Sequence, residues 1–258
     1  MRIPPTLIGL MLLLSTGQLR LEAQLTEVPT TAPVGGWLWE IDVLSAAVDK
    51  RTPLNDGTHY RSTTMGSVLV STGFNERWDV QFGFEIWREE KVYGSGLSHR
   101  DSGQGDAWLR TKWNFAGDEG SGPAWAVLPY IKLPLADHAL GNDEFEPGLV
   151  LIFAHPVNAA NQWHANLGLD VLNHGAGNRD MAIYGSTAFT RNCTDEMAIY
   201  AEFNGWVDAQ DAQNWSGEIA AGMTYAFHER GWLDIALYLG LTTAAPDYTP
   251  VLRGGWQF

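Results

Sequence analysis

The chain has a single cysteine, Cys193, and only 16 lysines and arginines against 30 acids in 258 residues, for a net charge of −14. A lone cysteine excludes an internal disulfide framework and a cysteine-based zinc site. The shortage of bases argues against a nucleic-acid partner, because phosphate neutralisation relies on Lys and Arg. No apolar run reaches the roughly 20 residues that a membrane-spanning helix needs. No Pro- or Ser-rich linker and no low-complexity tract divides the sequence, so one domain is expected after the leader. A G-x-S-x-G elbow, an H-E-x-x-H pair, a P-loop and a Gly-rich dinucleotide loop are also missing. Neither an enzyme nor a cofactor or metal site is therefore expected.

What is present begins with a leader. Arg2 is followed by the apolar stretch Thr6 to Leu14 and a short polar run that ends Leu21-Glu22-Ala23. A basic start, an apolar centre and a small residue at the cut are the layout of a secretory signal peptide. Residues 1–23 are read as that peptide, 24–36 as a periplasmic N-terminal segment and 37–258 as the folded domain. The leader carries Arg2, Arg20 and Glu22, a net +1 whose removal takes the charge from −14 to −15.

Along the rest of the chain the dominant signal is alternation, which marks strands with one apolar face. Trp78, Val80, Phe82, Phe84 and Ile86 share a face opposite Asp79, Gln81, Gly83, Glu85 and Trp87. Leu233, Ile235, Leu237, Leu239 and Leu241 oppose Asp234, Ala236, Tyr238 and Gly240 in the same way. Leu149 to Ala154 is apolar on both faces, which leaves its register open. Twelve strands are predicted, at 37–49, 60–72, 78–88, 105–115, 124–133, 147–156, 163–172, 181–191, 197–207, 215–227, 232–241 and 248–258. Most are near the about 9–11 residues that cross a bilayer at a tilt. Short turns alternate with longer polar connections such as Glu89 to Gln104 and Pro134 to Glu146, as in outer-membrane barrels. The expected fold is all-β: a single transmembrane antiparallel up-and-down β-barrel with both termini in the periplasm.

Charge segregates with the pattern. The apolar faces carry no Asp, Glu, Lys or Arg at their centres, whereas the opposite faces carry Glu40, Asp42, Asp79, Glu85, Asp106, Arg110, Lys112, Lys132, Asp170, Glu202, Glu218, Asp234 and Arg253. In lipid, a mid-bilayer Lys or Arg costs about 2–4 kcal/mol, so these thirteen are assigned to the lumen. Trp37, Trp78, Trp125, Trp163, Trp215 and Trp232 lie near strand starts and are read as a headgroup-level girdle. A soluble sandwich with the apolar faces turned inward has the same period.

Three motifs carry a family resemblance: Gly105-Asp106-Ala107-Trp108-Leu109-Arg110-Thr111-Lys112-Trp113, Pro129-Tyr130-Ile131-Lys132-Leu133-Pro134, and Ala245-Pro246-Asp247-Tyr248 running to Phe258. Together they resemble the outer-membrane transporter-like family named for the meta pathway of phenol degradation. The last strand also resembles the assembly signal of outer-membrane barrels, with Leu252, Gly254, Trp256 and Phe258 at alternate positions. Gly254-Gly255 departs from the bulkier strand usual there. The resemblance implies a barrel of unresolved substrate, associated by name with aromatic degradation, and it supplies no catalytic residues. The function expected is passive passage of small solutes, hydrophobic or aromatic compounds among them, through or laterally out of the barrel. Outer-membrane lipids, the barrel-assembly machinery and an unidentified small solute are the partners expected.

Three other readings stay open at this level. Paired charges, such as Arg110 and Lys112 against Asp106 or neighbouring-strand carboxylates, would fill the lumen and make the barrel a structural or surface-interaction module. A lipid-modifying enzyme would need Ser186 or Ser216 beside His164 or His174 at the membrane boundary. Acidic loop residues Asp143, Glu144 and Glu146 have the oxygen chemistry of a Ca²⁺ site, though a solvated loop explains them as well. If the lumen is open, its nine acids and four bases favour cations or neutral solutes.

Overall fold

The computed structural model describes residues 26–48, 57–137, 140–141, 144–173, 179–209, 212–213 and 215–258. The predicted signal peptide lies outside the described residues, as do His138, Asp143 and His174. The described elements are all strands: β1 (Leu38–Val48), β2 (His59–Asn75), β3 (Trp78–Gly94), β4 (Leu97–Gly103), β5 (Ala107–Ala116), β6 (Ala124–Leu133), β7 (Glu146–Asn158), β8 (Asn161–Asn173), β9 (Arg179–Asn192), β10 (Met197–Asp208), β11 (Ser216–His228), β12 (Gly231–Gly240) and β13 (Tyr248–Gln257). Each pairs antiparallel with its neighbours, and β1 closes the ring by pairing with both β13 and β2. Twelve strands thus form a closed barrel, and β4 is an extra strand on β3 alone.

β4 corrects the expectation of a polar loop over Glu89 to Gln104. The pair Gly94↔Leu97 closes a two-residue turn whose central residues, Ser95 and Gly96, have φ of 49° and 81°. Two positive φ values in a two-residue hairpin are the geometry that matches strand twist. β2 and β3 run on past the barrel rim to carry this hairpin, and its sequence, Ser98-His99-Arg100-Asp101-Ser102, has no apolar face.

The alternation resolves into an apolar outside and a polar inside. Ile235, Leu167, Ile219 and Phe82 point outward and are exposed, whereas Asp234, Asn166, Ala220 and Gln81 beside them are buried. The open register of β7 settles with Leu149 and Leu151 outward and Val150, Ile152 and Ala154 inward. At the end that carries the short turns, aromatic rings form a belt. Trp78 stacks on Trp113, Trp125 and Trp163 flank Phe153, and Phe227, Trp256, Phe258 and Trp39 follow one another. Trp215 is exposed at the opposite rim, so it belongs to the other interface. Trp232 leaves the girdle altogether: it is 6% exposed and faces the lumen.

The place of Trp232 explains Gly255. A Cβ on Gly255 would lie 2.4 Å from the Trp232 ring, and the two residues are direct cross-strand partners. Tyr130 lies over Gly148, Tyr184 over Gly168 and Tyr200 over Gly222 in the same manner, each across one directly paired register position. Large inward rings therefore lie flat against the wall, because their partners have no side chain.

Candidate functional site

Twelve of the thirteen lumen candidates lie on the inward faces of strands and Asp106 lies just before β5, and what they meet divides them. The first group holds a segment that is no part of the wall. Residues 26–32 run inside the barrel, against the expectation of a periplasmic segment. Thr26 Oγ1 donates to Glu202 Oε1 at 2.6 Å, and the Ala32 N–H donates to Asp79 Oδ2 at 2.7 Å. Glu27 pairs with Arg110, and its second oxygen lies 3.2 Å from Lys112 Nζ. Lys112 Nζ also donates to the Thr30 carbonyl at 3.3 Å, and Thr30 bonds Glu119 on the turn after β5. With its amide turned to satisfy both groups, Asn166 donates to the Glu27 carbonyl at 3.0 Å and accepts from the Glu27 N–H at 2.6 Å. The segment leaves along β2, where Val34 bridges Gly73 and Thr31 reaches the Glu76 carbonyl.

This corrects the partner of the basic pair. Arg110 and Lys112 face Glu27, whereas Asp106 pairs with Lys132 at 3.4 Å, and Lys132 pairs in turn with Glu146 at 2.6 Å. Burial alone would raise the Glu27 carboxyl, but the two cations overcome it and hold the group down at about 2. The remaining acids and Arg253 belong to wall networks or to none. Asp234 accepts from Tyr200 and Thr224 at 3.1 and 3.0 Å, Arg253 lies 3.5 Å from Asp42, and Tyr130 donates to Asp170. Glu85 lies 3.8 Å from Arg88 and backs onto Gly105. Among the described residues, Glu40 and Glu218 have neither a hydrogen bond nor an ion pair.

Burial changes along the lumen. Towards the short turns the polar groups are sealed: Asp79 and His164 are 0% exposed, Asp234 1% and Glu119 2%. Towards the long loops, Arg110, Lys132, Asp170 and Glu218 are half-buried, and nearer the short turns Glu40 and Asp42 on β1 are equally accessible. The arrangement is a cup whose floor is residues 26–32. At its mouth the connection after β6 turns inward, with Leu140 buried and the Ala136 N–H donating to Asp106 at 3.1 Å. Two apolar patches interrupt the polar lining: Ala126, Leu128, Val150 and Ile152 with Tyr130 and Tyr184, and Ala220, Tyr238 and Val251 with Ala236.

The other sequence readings separate. His164 is enclosed beside Glu119 at 3.8 Å. Ser186 shares the inward face with His164, two register positions along, and therefore lies in the lumen rather than at the lipid boundary. Ser216 starts β11 at the opposite end from His164. Among the described residues no three His, Cys, Asp or Glu side chains cluster to hold a metal. Residues that sequence reasoning missed are Thr26, Glu27, Thr30, Glu119 and Asn166. Of these, only Asn166 was legible, as a polar residue between His164 and Asp170 on the inward face of β8.

Known proteins fit this geometry. An outer membrane channel from Pseudomonas putida F1 superposes with a TM-score of 0.66 at 13% identity, covering 89% of this chain and 98% of that one. The translocator domain of autotransporter NalP from Neisseria meningitidis gives 0.55 at 10% identity, covering 86% and 88%. The NanC porin gives 0.52 at 11% identity, covering 84% and 98%. These likenesses establish the outer-membrane barrel fold. A sequence search of curated proteins finds no match. Residues 77–258 match the family model described as putative MetA-pathway of phenol degradation, and with most of its length matched the chain belongs to that family.

Proposed function

We propose that this protein is an outer-membrane channel for passive passage of small solutes, closed in the state seen here by residues 26–32. The observation that carries the reading is the origin of the filling. A barrel that serves only as a structural element can be filled by its own wall side chains, as narrower barrels are. Here the floor of the cup is a separate segment held by side chains that reach inward from β3, β5, β8 and β10. Hydrogen bonds and ion pairs of this kind exchange with water once the segment withdraws, so the closure is reversible in principle.

The C-terminus and the start of β1 lie on the periplasmic side and the long connections face outward, as the alternation of short and long connections supports. The apolar band contacts outer-membrane lipids. The barrel-assembly machinery reads the last strand through Leu252, Trp256 and Phe258, and Gly254 stays small because Leu233 packs against it. The reading is non-enzymatic, with the charged lumen serving conduction.

Liposome swelling tests it. The refolded chain from residue 24 onward should admit small neutral solutes faster than protein-free liposomes do. A barrel that runs as a folded, heat-modifiable band and yet admits none overturns the channel reading and leaves a structural role.

A further inference from the structure

The structure assigns a second role to the basic pair on β5: Arg110 and Lys112 form a recognition site for a small solute bearing one carboxylate on an apolar body, a site now filled by the chain's own Glu27. The inference rests on the channel reading, since the site is reached through the cup. Residues two apart on a strand point to the same side, so the guanidinium and the ammonium converge on one point of the lumen. Each takes its own oxygen of a single carboxylate, Arg110 the Oε1 and Lys112 the Oε2 of Glu27. A planar guanidinium beside a compact ammonium is a matched pair for that group.

Three features separate this pair from an ordinary wall ion pair. Its carboxylate comes from a segment outside the wall, whereas Lys132 and Arg253 are engaged by acids of the wall strands and their rim. It is open to the cup, with 27% of the Glu27 side chain and 20% of Arg110 exposed. It also adjoins apolar surface. Arg110 pairs across the strands with Tyr130, which packs with Tyr184 against Leu128, Val150 and Ile152. Asn166, which grips the Glu27 backbone, is the cross-strand partner of Ile152, so withdrawal of the segment uncovers apolar wall beside the two bases.

The energetics favour exchange over simple release. If Glu27 leaves alone, two enclosed cations lose their partner, which is strongly unfavourable. If an incoming carboxylate takes its place, the charge pairing is conserved and the apolar body covers the uncovered wall. A neutral solute of the same shape offers no such compensation. A solute carboxylate therefore shifts the segment towards the displaced state by its differential affinity for that state.

Benzoate is the probe, with benzyl alcohol as its uncharged counterpart, and calorimetric titration of the detergent-refolded chain is the readout. Glu27→Gln removes the internal competitor and should tighten benzoate binding by about tenfold or more over the wild type, whose site is mostly occupied. Arg110→Gln and Lys112→Gln should each abolish it. Benzoate binding no tighter in Glu27→Gln than in the wild type, or benzyl alcohol binding as well as benzoate, overturns the proposal. A second measurement does not depend on refolding that variant. In a Cys193→Ser, Val28→Cys chain, benzoate should raise the rate of maleimide labelling while equimolar benzyl alcohol does not, and equal rates again overturn it. Benzoate binding without solute flux would leave the site standing and sink the channel, and flux without benzoate binding would do the reverse.

Discussion

Glu27 and Arg110 form an ion pair between a segment that is not part of the wall and the wall itself. Glu27 also meets Lys112, and hydrogen bonds to Asp79, Asn166 and Glu202 hold the rest of the floor, so Glu27 carries the charge that ties the segment to the wall. Glu27→Gln keeps the shape of the side chain and removes its charge. The variant should remain a heat-modifiable barrel while residues 26–32 become more accessible to protease. Unchanged protection would mean that the neutral hydrogen bonds alone hold the segment.

The same pair sets a pH window. The Glu27 carboxyl is depressed from an ordinary value of 4.5 to about 2. A depressed carboxylate contributes stability that is complete above its unfolded value and lost as pH falls through its folded value. Protection of residues 26–32 should therefore stay flat from about pH 8 to about pH 5 and fall progressively between the unfolded value of 4.5 and the folded value of about 2. Hydrogen exchange of the segment measures this, and loss of protection near neutral pH would point to a different group.

Gly168→Ala tests the fitting of inward rings to the wall. The new methyl would lie 2.0 Å from Tyr184 across a directly paired position, so ring or strand must move. Overpacking of this kind costs about 1–3 kcal/mol, read as a lower denaturant midpoint for unfolding from micelles. Gly185→Ala, where the nearest atom is 3.7 Å away, should cost far less.

Leu167→Arg tests which side of the wall meets lipid. Leu167 is 57% exposed at the middle of β8, and a mid-bilayer Arg costs about 2–4 kcal/mol. The penalty should be present in bilayers and shrink in detergent. A soluble barrel would show no dependence on the lipid.

Glu218→Gln and Glu202→Gln should part company. Glu218 has no hydrogen bond or ion pair among the described residues, so its loss should lower cation preference without changing the floor. Glu202 accepts from Thr26 and from Tyr238, at 2.6 and 2.9 Å, so its loss should also loosen residue 26. Reversal potentials alongside protease protection separate the two effects.

The wall was legible because a bilayer imposes one rule on every strand: outward residues apolar, inward residues free to be polar. That rule fixed the twelve wall strands to within three residues at each end, except for the far end of β3, which runs six residues past the predicted 88. β4 escaped because it stands above the rim, where no apolar face is required and Ser95-Gly96 was its sole turn signal. Trp232 escaped because alternation was read at its neighbours, while its fit over Gly255 depends on a partner strand whose register no single strand reveals. The floor escaped for a deeper reason. Thr26-Glu27-Val28-Pro29-Thr30 has no periodicity, and its place depends on Asp79, Arg110, Asn166 and Glu202, up to 176 residues away in the chain.

The most direct test of a channel closed by its own N-terminal segment is single-channel recording of the refolded chain in planar bilayers, with a variant lacking residues 24–33 beside it. The account predicts rare, brief openings for the intact chain and sustained, cation-selective steps for the shortened one, whose lumen keeps nine acids and four bases. Equal conductance in the two, with both confirmed as folded barrels, would contradict it.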